Sequence, residues 1–395
     1  MAVELTYALI TPYSLLKSRT GGIIGRLLSL AKLDFVGARI YAPSDAFVDR
    51  YRATIEEQDV APVAKAALLQ YVDDHLRRPN VLGITNRCVV LLFEGENAVE
   101  HLQQDVVGSI TLDPRGDTVR GTFGDFVALA DGSVRYFEPA VLVAADQQSN
   151  VKQLTILRDF DETDGGIFEA LVPYPPGVEP ETTLVMLKPE NFERRSMRAG
   201  NIIDIFSKTG LFMVGMTVLR MSMAQAEEFY GPLRSIFVEK LKANVARTLG
   251  DVLGPAFDFG IDRAAHQAMA ELLKDRNAEC EFNRIIEYMT GVNPADVPGE
   301  ADRDAPGREK CLAVLYQGEG AVEKIRERLG ATQPSEAVAG SVRSDFGRDL
   351  MRNAAHASDS VESAERERRV IGLWREEGPS EVKRLIDRYL ASGSA

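Results

Sequence analysis

Apolar and polar positions along the chain fall into two series with the same rhythm. "YALI" near the start and "TLVML" in the middle are short apolar runs of the kind that form buried strands. Each is followed by a proline turn and then by a glycine-led stretch, "GGIIGRLLSLAK" and "AGNIIDIFSKTG", with apolar residues at helical spacing. A second apolar run closes each unit, "FVGARIY" in the first and "FMVGMTVL" in the second. Further on, "VVLLFEGENAVEHL" answers "LAVLYQGEGAVEKI", each a strand that turns into a helix. The predicted order in each series is strand, helix, strand, helices, strand, helix, strand. That is a split βαβ, ferredoxin-like plan with helices on one face of an antiparallel sheet.

The two series read as one domain duplicated. Gly22 matches Gly200, Gly37 matches Gly215, Gly95 matches Gly318, Arg120 matches Arg343 and Asp146 matches Asp359. The spacing between partners grows along the chain, which places extra residues in the second copy. The expected organisation is a first domain over 1–160, a linker over 161–181 rich in Pro, Gly and acidic residues, and a second domain over 182–395. An insertion around 231–310 combines helix, as in "RAAHQAMAELLKD", with exposed loop, as in "GVNPADVPGEADRDAPGREK". The fold class is α+β, an α/β sandwich of two tandem ferredoxin-like βαββαβ domains with antiparallel sheets.

Composition narrows the function. A chain of 395 residues, 45% hydrophobic and 27% charged, has room for two ordinary cores. A net charge of -13 argues against a general nucleic-acid or membrane-surface binder, while leaving room for a local basic pocket. Cys88, Cys280 and Cys311 are widely spaced and form no CxxC, so no disulfide framework or zinc site is expected. A reducing, cytoplasmic setting follows. The opening "MAVELTYALITPYS" lacks the features of a signal peptide, and no apolar run approaches the roughly 18 residues a membrane span needs.

One stretch carries candidate chemistry. In "RNAAHASDSVESAERE", His356 precedes Ser358, Asp359 and Ser360, all suited to cap a helix, and then a run of helix formers. A helix start offers free N–H groups and a positive partial charge, so an imidazole beside it could receive phosphate. Locally, an ordinary surface histidine near a cap is the favoured reading.

The second series as a whole decides between them, because it resembles the nucleoside diphosphate kinase family. The resemblance covers most of 182–378 and rests on "MLKPEN", "AEEFY", "LYQGEGAVEKIRERLGATQP", "GSVRSDFG" and "RNAAHASDSVESAERE", in that order. It implies two tandem domains of that family's type and a ping-pong kinase acting on nucleoside tri- and diphosphates. His356 is then the nucleophile that carries the γ-phosphate, and Ser358 and Glu367 orient its ring. Imidazole suits the role, since it titrates near about 6.5 and offers a neutral nitrogen at neutral pH. Lys188, Arg326 and Arg343 supply positive charge to the phosphates, Thr332 and Tyr230 supply hydroxyls, and Asn353 meets the ribose. Phe282 is the candidate base-stacking aromatic. Mg²⁺ is expected as cofactor, held mainly by phosphates and water, so no carboxylate cluster is needed.

There are departures from the family pattern. Glu190-Asn191 follows Lys188-Pro189 where the family has Asp-Gly, Gln333 follows Thr332, Ser344 follows Arg343, and "RRV" (368–370) is extra. The insertion falls where the family clamps the base. The first series keeps Arg120 but carries Thr11 opposite Lys188, Gln104 opposite Arg326, Ile110 opposite Thr332, Ala140 opposite Asn353 and Val143 opposite His356. It is expected to supply packing, as a pseudo-dimer partner within one chain, with higher homo-oligomers also open. The competing functional readings are a non-catalytic nucleotide-binding scaffold and a phosphohistidine protein-transfer module.

Overall fold

The structure, a computed structural model, describes residues 3–110, 116–131, 133–257, 259–297, 299–374 and 378–393. Pro298, within the stretch expected to be an exposed loop, lies outside them. The described residues form two compact units, Met1–Leu219 together with Leu312–Ala395, and Arg220–Cys311. No helix among them is long and apolar enough to cross a membrane.

The larger unit is built on two four-stranded sheets. The first holds β1 (Val3–Ile10), β2 (Asp34–Tyr41), β3 (Cys88–Glu96) and β6 (Val141–Leu142) in the order β2-β3-β1-β6. A small hairpin, β4 (Asp125–Ala128) and β5 (Val134–Glu138), stands beside it. The second sheet holds β7 (Glu181–Leu187), β8 (Phe212–Leu219), β9 (Cys311–Gly318) and β10 (Ala355–Ala357) in the order β10-β7-β9-β8. Read from the other edge, that is the same arrangement. β1 pairs antiparallel with β3 and β6, and β7 pairs antiparallel with β9 and β10.

Strand alternation explains how the first sheet is covered. Ala8, Ile10, Val89, Leu91 and Phe93 face the helix Thr20–Leu30, through its Ile23, Ile24 and Leu27. Leu5, Tyr7, Leu9, Val90 and Leu92 face the other way, toward the helices Asp45–Glu56, Gln147–Asp159 and Glu381–Ala391. Helices therefore cover both faces of this sheet, not one as the sequence pattern suggested. The last helix adds to the cover that the helices Asp45–Glu56 and Gln147–Asp159 already give this face. Its apolar stripe of Val382, Leu385, Ile386 and Tyr389 has helical spacing and is buried on the first sheet, although it lies at the far end of the chain. Ser380 at its start donates to Asp161 Oδ1 at 2.7 Å, and Gln147 donates to the Tyr389 hydroxyl at 2.6 Å.

The two sheets share one apolar core. It runs from Ile23, Ile24 and Leu27 into Ile202, Ile203 and Phe206 of the helix Arg198–Ser207, and on to Val185, Leu187 and Val314. The two helices touch backbone to backbone. A Cβ added to Gly200 would lie 2.2 Å from the Gly21 carbonyl oxygen, and one added to Gly21 would lie 2.6 Å from the Gly200 carbonyl oxygen. Only glycine allows that approach.

In the smaller unit, the helices Leu233–Leu253 and Arg263–Thr290 pack on each other. Lys242 and Lys274 both pair with Glu271 between or along them. Short helical turns at Pro294–Asp296 and Glu300–Asp304 occupy part of the stretch expected to be loop.

Candidate active site

His356 is the middle residue of β10, directly opposite Met186 of β7. The backbone reaches this strand through Ala354 at φ +72°, a left-handed conformation that costs a non-glycine residue about 1 kcal/mol or more. Three bonds hold it there. The Ala354 amide donates to Glu190 Oε1 at 2.8 Å, and its carbonyl accepts from the Lys188 amide at 3.0 Å and from Asn191 Nδ2 at 2.7 Å. Glu190 is thus a site-shaping residue that sequence reasoning treated only as a departure from the family pattern. The backbone bond it caps is long-range and leaves no local signal.

After β10, Ser360 caps the helix Val361–Val370 by accepting from the Ser363 amide at 3.1 Å. This helix brings Glu367 back over β10. His356 Nε2 lies 2.8 Å from Glu367 Oε2, and Ser358 Oγ donates to the same oxygen at 2.7 Å. The Glu367 side chain is 5% exposed and that of His356 is 22% exposed, so the carboxylate is enclosed while the ring keeps an open side. A carboxylate accepting from Nε2 selects the tautomer protonated there, which puts the imidazole lone pair on Nδ1.

Next to β10, Lys188 Nζ donates to Asn353 Oδ1 at 2.7 Å and to the Met351 carbonyl at 2.9 Å. Asn353 Nδ2 donates to the carbonyls of Thr332 and Leu350, each at 3.1 Å. Asn353 is 1% exposed, so in this geometry its amide positions Lys188 and the Thr332 loop from within. Arg343 donates from Nη1 to the Gly330 carbonyl at 3.1 Å and from Nη2 to the Ala355 carbonyl at 3.4 Å, and its Nη1 lies 3.5 Å from Thr332 Oγ1. Burial, helped by the like charge of Arg326, pushes the Arg343 guanidinium down to about 10. A hydrogen bond from Ser363 holds the Asp359 carboxyl below its usual range against the opposing effect of burial, and Arg326 and His356 add to it. Lys188, Arg326, Thr332, Arg343, Asn353, His356, Ser358 and Glu367 are therefore gathered around β10. Two guanidinium groups held near one another favour an anion between them.

Tyr230 and Phe282 lie in the smaller unit. Tyr230 ends the helix Met223–Tyr230, buried, with its ring 4.9 Å from that of Phe229. Phe282 is fully buried in its helix, and the Arg234 guanidinium lies 4.2 Å from its ring centroid. One face of the candidate stacking ring is thus already covered.

Strand register fixes which first-half residues stand in the corresponding places. Leu142 faces Leu9 as His356 faces Met186, and the Thr11 amide bonds the Ala140 carbonyl as Lys188 bonds Ala354. Ala140 at φ +59° is the counterpart of Ala354, not of Asn353. Asp146, which caps the next helix, matches Ser360 and not Asp359. So Leu142, not Val143, stands opposite His356, and Pro139 stands opposite Asn353. The partner of Arg326 shifts as well. The Gly330 amide bonds the Arg326 carbonyl four residues back, whereas the Gly108 amide bonds the Gln103 carbonyl five residues back in the π-helical stretch Leu102–Val107. One extra residue in that turn puts Gln103, not Gln104, opposite Arg326.

The place of the site is filled in the first half. Tyr7 donates to Gln153, the counterpart of Glu367, at 2.8 Å, its hydroxyl lies 2.6 Å from that of Tyr51, and Gln153 donates to Thr54 at 2.9 Å. Thr11 and Tyr71 both donate to Glu138, whose carboxyl burial pushes up.

A model of the family described as "Nucleoside diphosphate kinase" matches residues 181–247 and 305–374. Every gathered site residue falls inside the matched segments, whereas Phe282 and the first half fall outside them. The nucleoside diphosphate kinase of Methanococcus maripaludis is 30% identical over 187 residues, covering 47% of this chain and 94% of the relative. Nucleoside diphosphate kinase A of Flaveria bidentis is 29% identical over 198 residues, covering 50% and 90%. Among solved structures, an NDP kinase from Pyrobaculum aerophilum shares 25% identity with a TM-score of 0.35, covering 49% of this chain and 95% of its own. A nucleoside diphosphate kinase from Encephalitozoon cuniculi shares 22% with a TM-score of 0.32, covering 51% and 92%. With the repeated sheet and the β10 cluster in its second half, the chain belongs to the nucleoside diphosphate kinase family.

Proposed function

We propose that the chain is a nucleoside diphosphate kinase that works through His356. The observation that supports this best is the Glu367 oxygen shared by His356 Nε2 and Ser358 Oγ. It aims Nδ1 as nucleophile. The Nδ1 lone pair attacks the γ-phosphorus of a nucleoside triphosphate, the bond to the bridging oxygen breaks, and the diphosphate leaves with the electron pair. A terminal oxygen of a second nucleoside diphosphate then takes the phosphoryl group from His356. The Glu367 carboxylate stabilises the positive charge that grows on the ring during attack.

Transfer through a loose transition state requires mainly alignment and neutralised oxygens. Lys188, Arg326 and Arg343 surround the transferred group with positive charge, and the Thr332 hydroxyl donates beside them. Asn353 keeps Lys188 in place. Mg²⁺ fits this reading as a companion of the nucleotide, held mainly by the phosphates and water, where it would offset phosphate charge. The first half serves as an intrachain partner, packed through the Gly21–Gly200 crossing. A nucleotide-binding scaffold is the second reading, favoured by the covered face of Phe282.

Intact mass separates the two. After incubation with Mg-ATP the full chain is expected to gain one phosphoryl group, lost again on adding GDP, with no gain in His356→Ala. A phosphoryl group retained in His356→Ala, or none in the parent chain, overturns the kinase reading.

A further inference from the structure

A cleft of 420 Å³ opens between the two halves of the larger unit and shares no residue with the β10 site. That volume is in the range of small-molecule sites, roughly 300–1,000 Å³. Residues from both halves line it, among them Leu15, Val172, Ile203, Leu211 and Met213, which make it mostly apolar. One cation stands in this lining. Arg87 is 7% exposed, yet among the described residues no carboxylate pairs with it. Its Nε donates to Thr85 Oγ1 at 2.9 Å, its Nη1 donates to the Met213 carbonyl, and its guanidinium carbon lies 5.4 Å from the Phe212 ring centroid. Nη2 makes no hydrogen bond to a described residue and is not among the enclosed orphan atoms.

The other buried arginines differ. Arg39 pairs with Asp161 and Arg368 with Glu169, each at 2.9 Å. Arg120, which has no carboxylate among the described residues either, is enclosed in the first domain, where it donates to two carbonyls and leaves Nε unbonded, and it does not line the cleft. A buried charge without a counter-ion is unfavourable unless something supplies one. A guanidinium stacked on an aromatic face with a donor left over is suited to a carboxylate.

We propose that this cleft binds a small amphipathic carboxylate, with its apolar body against Ile203, Leu211 and Met213 and its carboxylate on Arg87 Nη2. Such a ligand touches both halves, so it stabilises their packing and raises the unfolding temperature of the whole chain.

Decanoate is the probe, with 1-decanol and decyltrimethylammonium as charge controls, titrated calorimetrically into the full chain and followed in parallel by thermal unfolding. One decanoate per chain is expected, decanol at least about tenfold weaker, and no measurable binding of the cation. Arg87→Met is expected to bring decanoate down to the affinity of decanol. Because Arg87 also bridges to Met213, a second variant guards against loss of fold. Ser207→Phe fills the cleft from a partly exposed position, leaves every Arg87 bond intact, and is expected to remove decanoate binding without lowering the unfolding temperature of the unliganded chain. Equal affinity for decanoate and decanol, undiminished binding in Ser207→Phe, or no binding at millimolar decanoate overturns the proposal.

Discussion

The two halves keep the same four-strand order and differ in what surrounds its short edge strand. Arg120 and Arg343 bond matching carbonyls, Gly108 and Val141 in one half, Gly330 and Ala355 in the other. That arginine holds the turn after the third strand in both, so its presence alone says nothing about chemistry. What differs is the set around it. The second half gathers Lys188, Asn353, His356, Ser358 and Glu367, whereas the first fills the same space with Thr11, Leu142, Tyr7, Tyr51 and Gln153. In the first half buried hydrogen bonds take the place of the β10 cluster, which stabilises packing; on the proposed function, that leaves no group there to receive a phosphate.

The largest effect is expected at the histidine position. His356→Ala should reduce γ-phosphate exchange to background, while Leu142→His in the first half should gain no second phosphoryl group by intact mass, since Thr11 and Pro139 replace the lysine and asparagine. A second phosphohistidine in Leu142→His would erase the contrast between the halves. Lys188→Ala comes next, with turnover expected to fall by on the order of 10²–10³, the scale for losing one transition-state donor. Thr11→Lys should add no activity, which steady-state kinetics would check.

Glu367→Gln should lower the rate of phosphohistidine formation by roughly 10–10² with little change in nucleotide affinity, because it acts through the ring and not on the substrate. Its mirror, Gln153→Glu, should leave kinetics alone and lower stability by about 1–3 kcal/mol in urea unfolding, since it buries a charge where a neutral amide donates to Thr54. At the shared arginine, Arg120→Met should cost about 1–3 kcal/mol of stability only, and Arg343→Met should also raise the apparent KM.

The smallest effect is the pH dependence. Arg343 titrates near 10, so its charge is complete below that value and is lost as pH rises through it. Nucleotide affinity should weaken above pH 10 in the parent chain. Arg120 is shifted to a similar value, but with no phosphate beside it the first half should contribute nothing to that profile.

Much of this arrangement was legible in the chain. Strand runs and glycine-led helices specified a duplicated α+β fold because those patterns are local, whereas most of the β10 cluster was legible only through the resemblance of the second series to the nucleoside diphosphate kinase family. The correspondence between halves was legible only to within a residue. Matching Asp146 to Asp359 put Val143 opposite His356, but cap geometry matches Asp146 to Ser360 and the sheet register puts Leu142 there. Gln104 was displaced from the true counterpart by a single π-helical turn. A shift of one residue exchanges the faces of a strand, and only hydrogen-bonded register fixes it.

The sequence by itself determined the repeat and the antiparallel strand pattern, since each depends on periodicity within a few positions, and it pointed to His356 only through the family resemblance of the residues around it. The tertiary structure alone decided that the last helix, Glu381–Ala391, returns to cover the first sheet, that Glu190 holds Ala354 in its left-handed turn, and that Arg87 faces a cleft without a counter-ion. Each of those is a contact between residues far apart in the chain, where burial and hydrogen-bond geometry, not local pattern, select the partner.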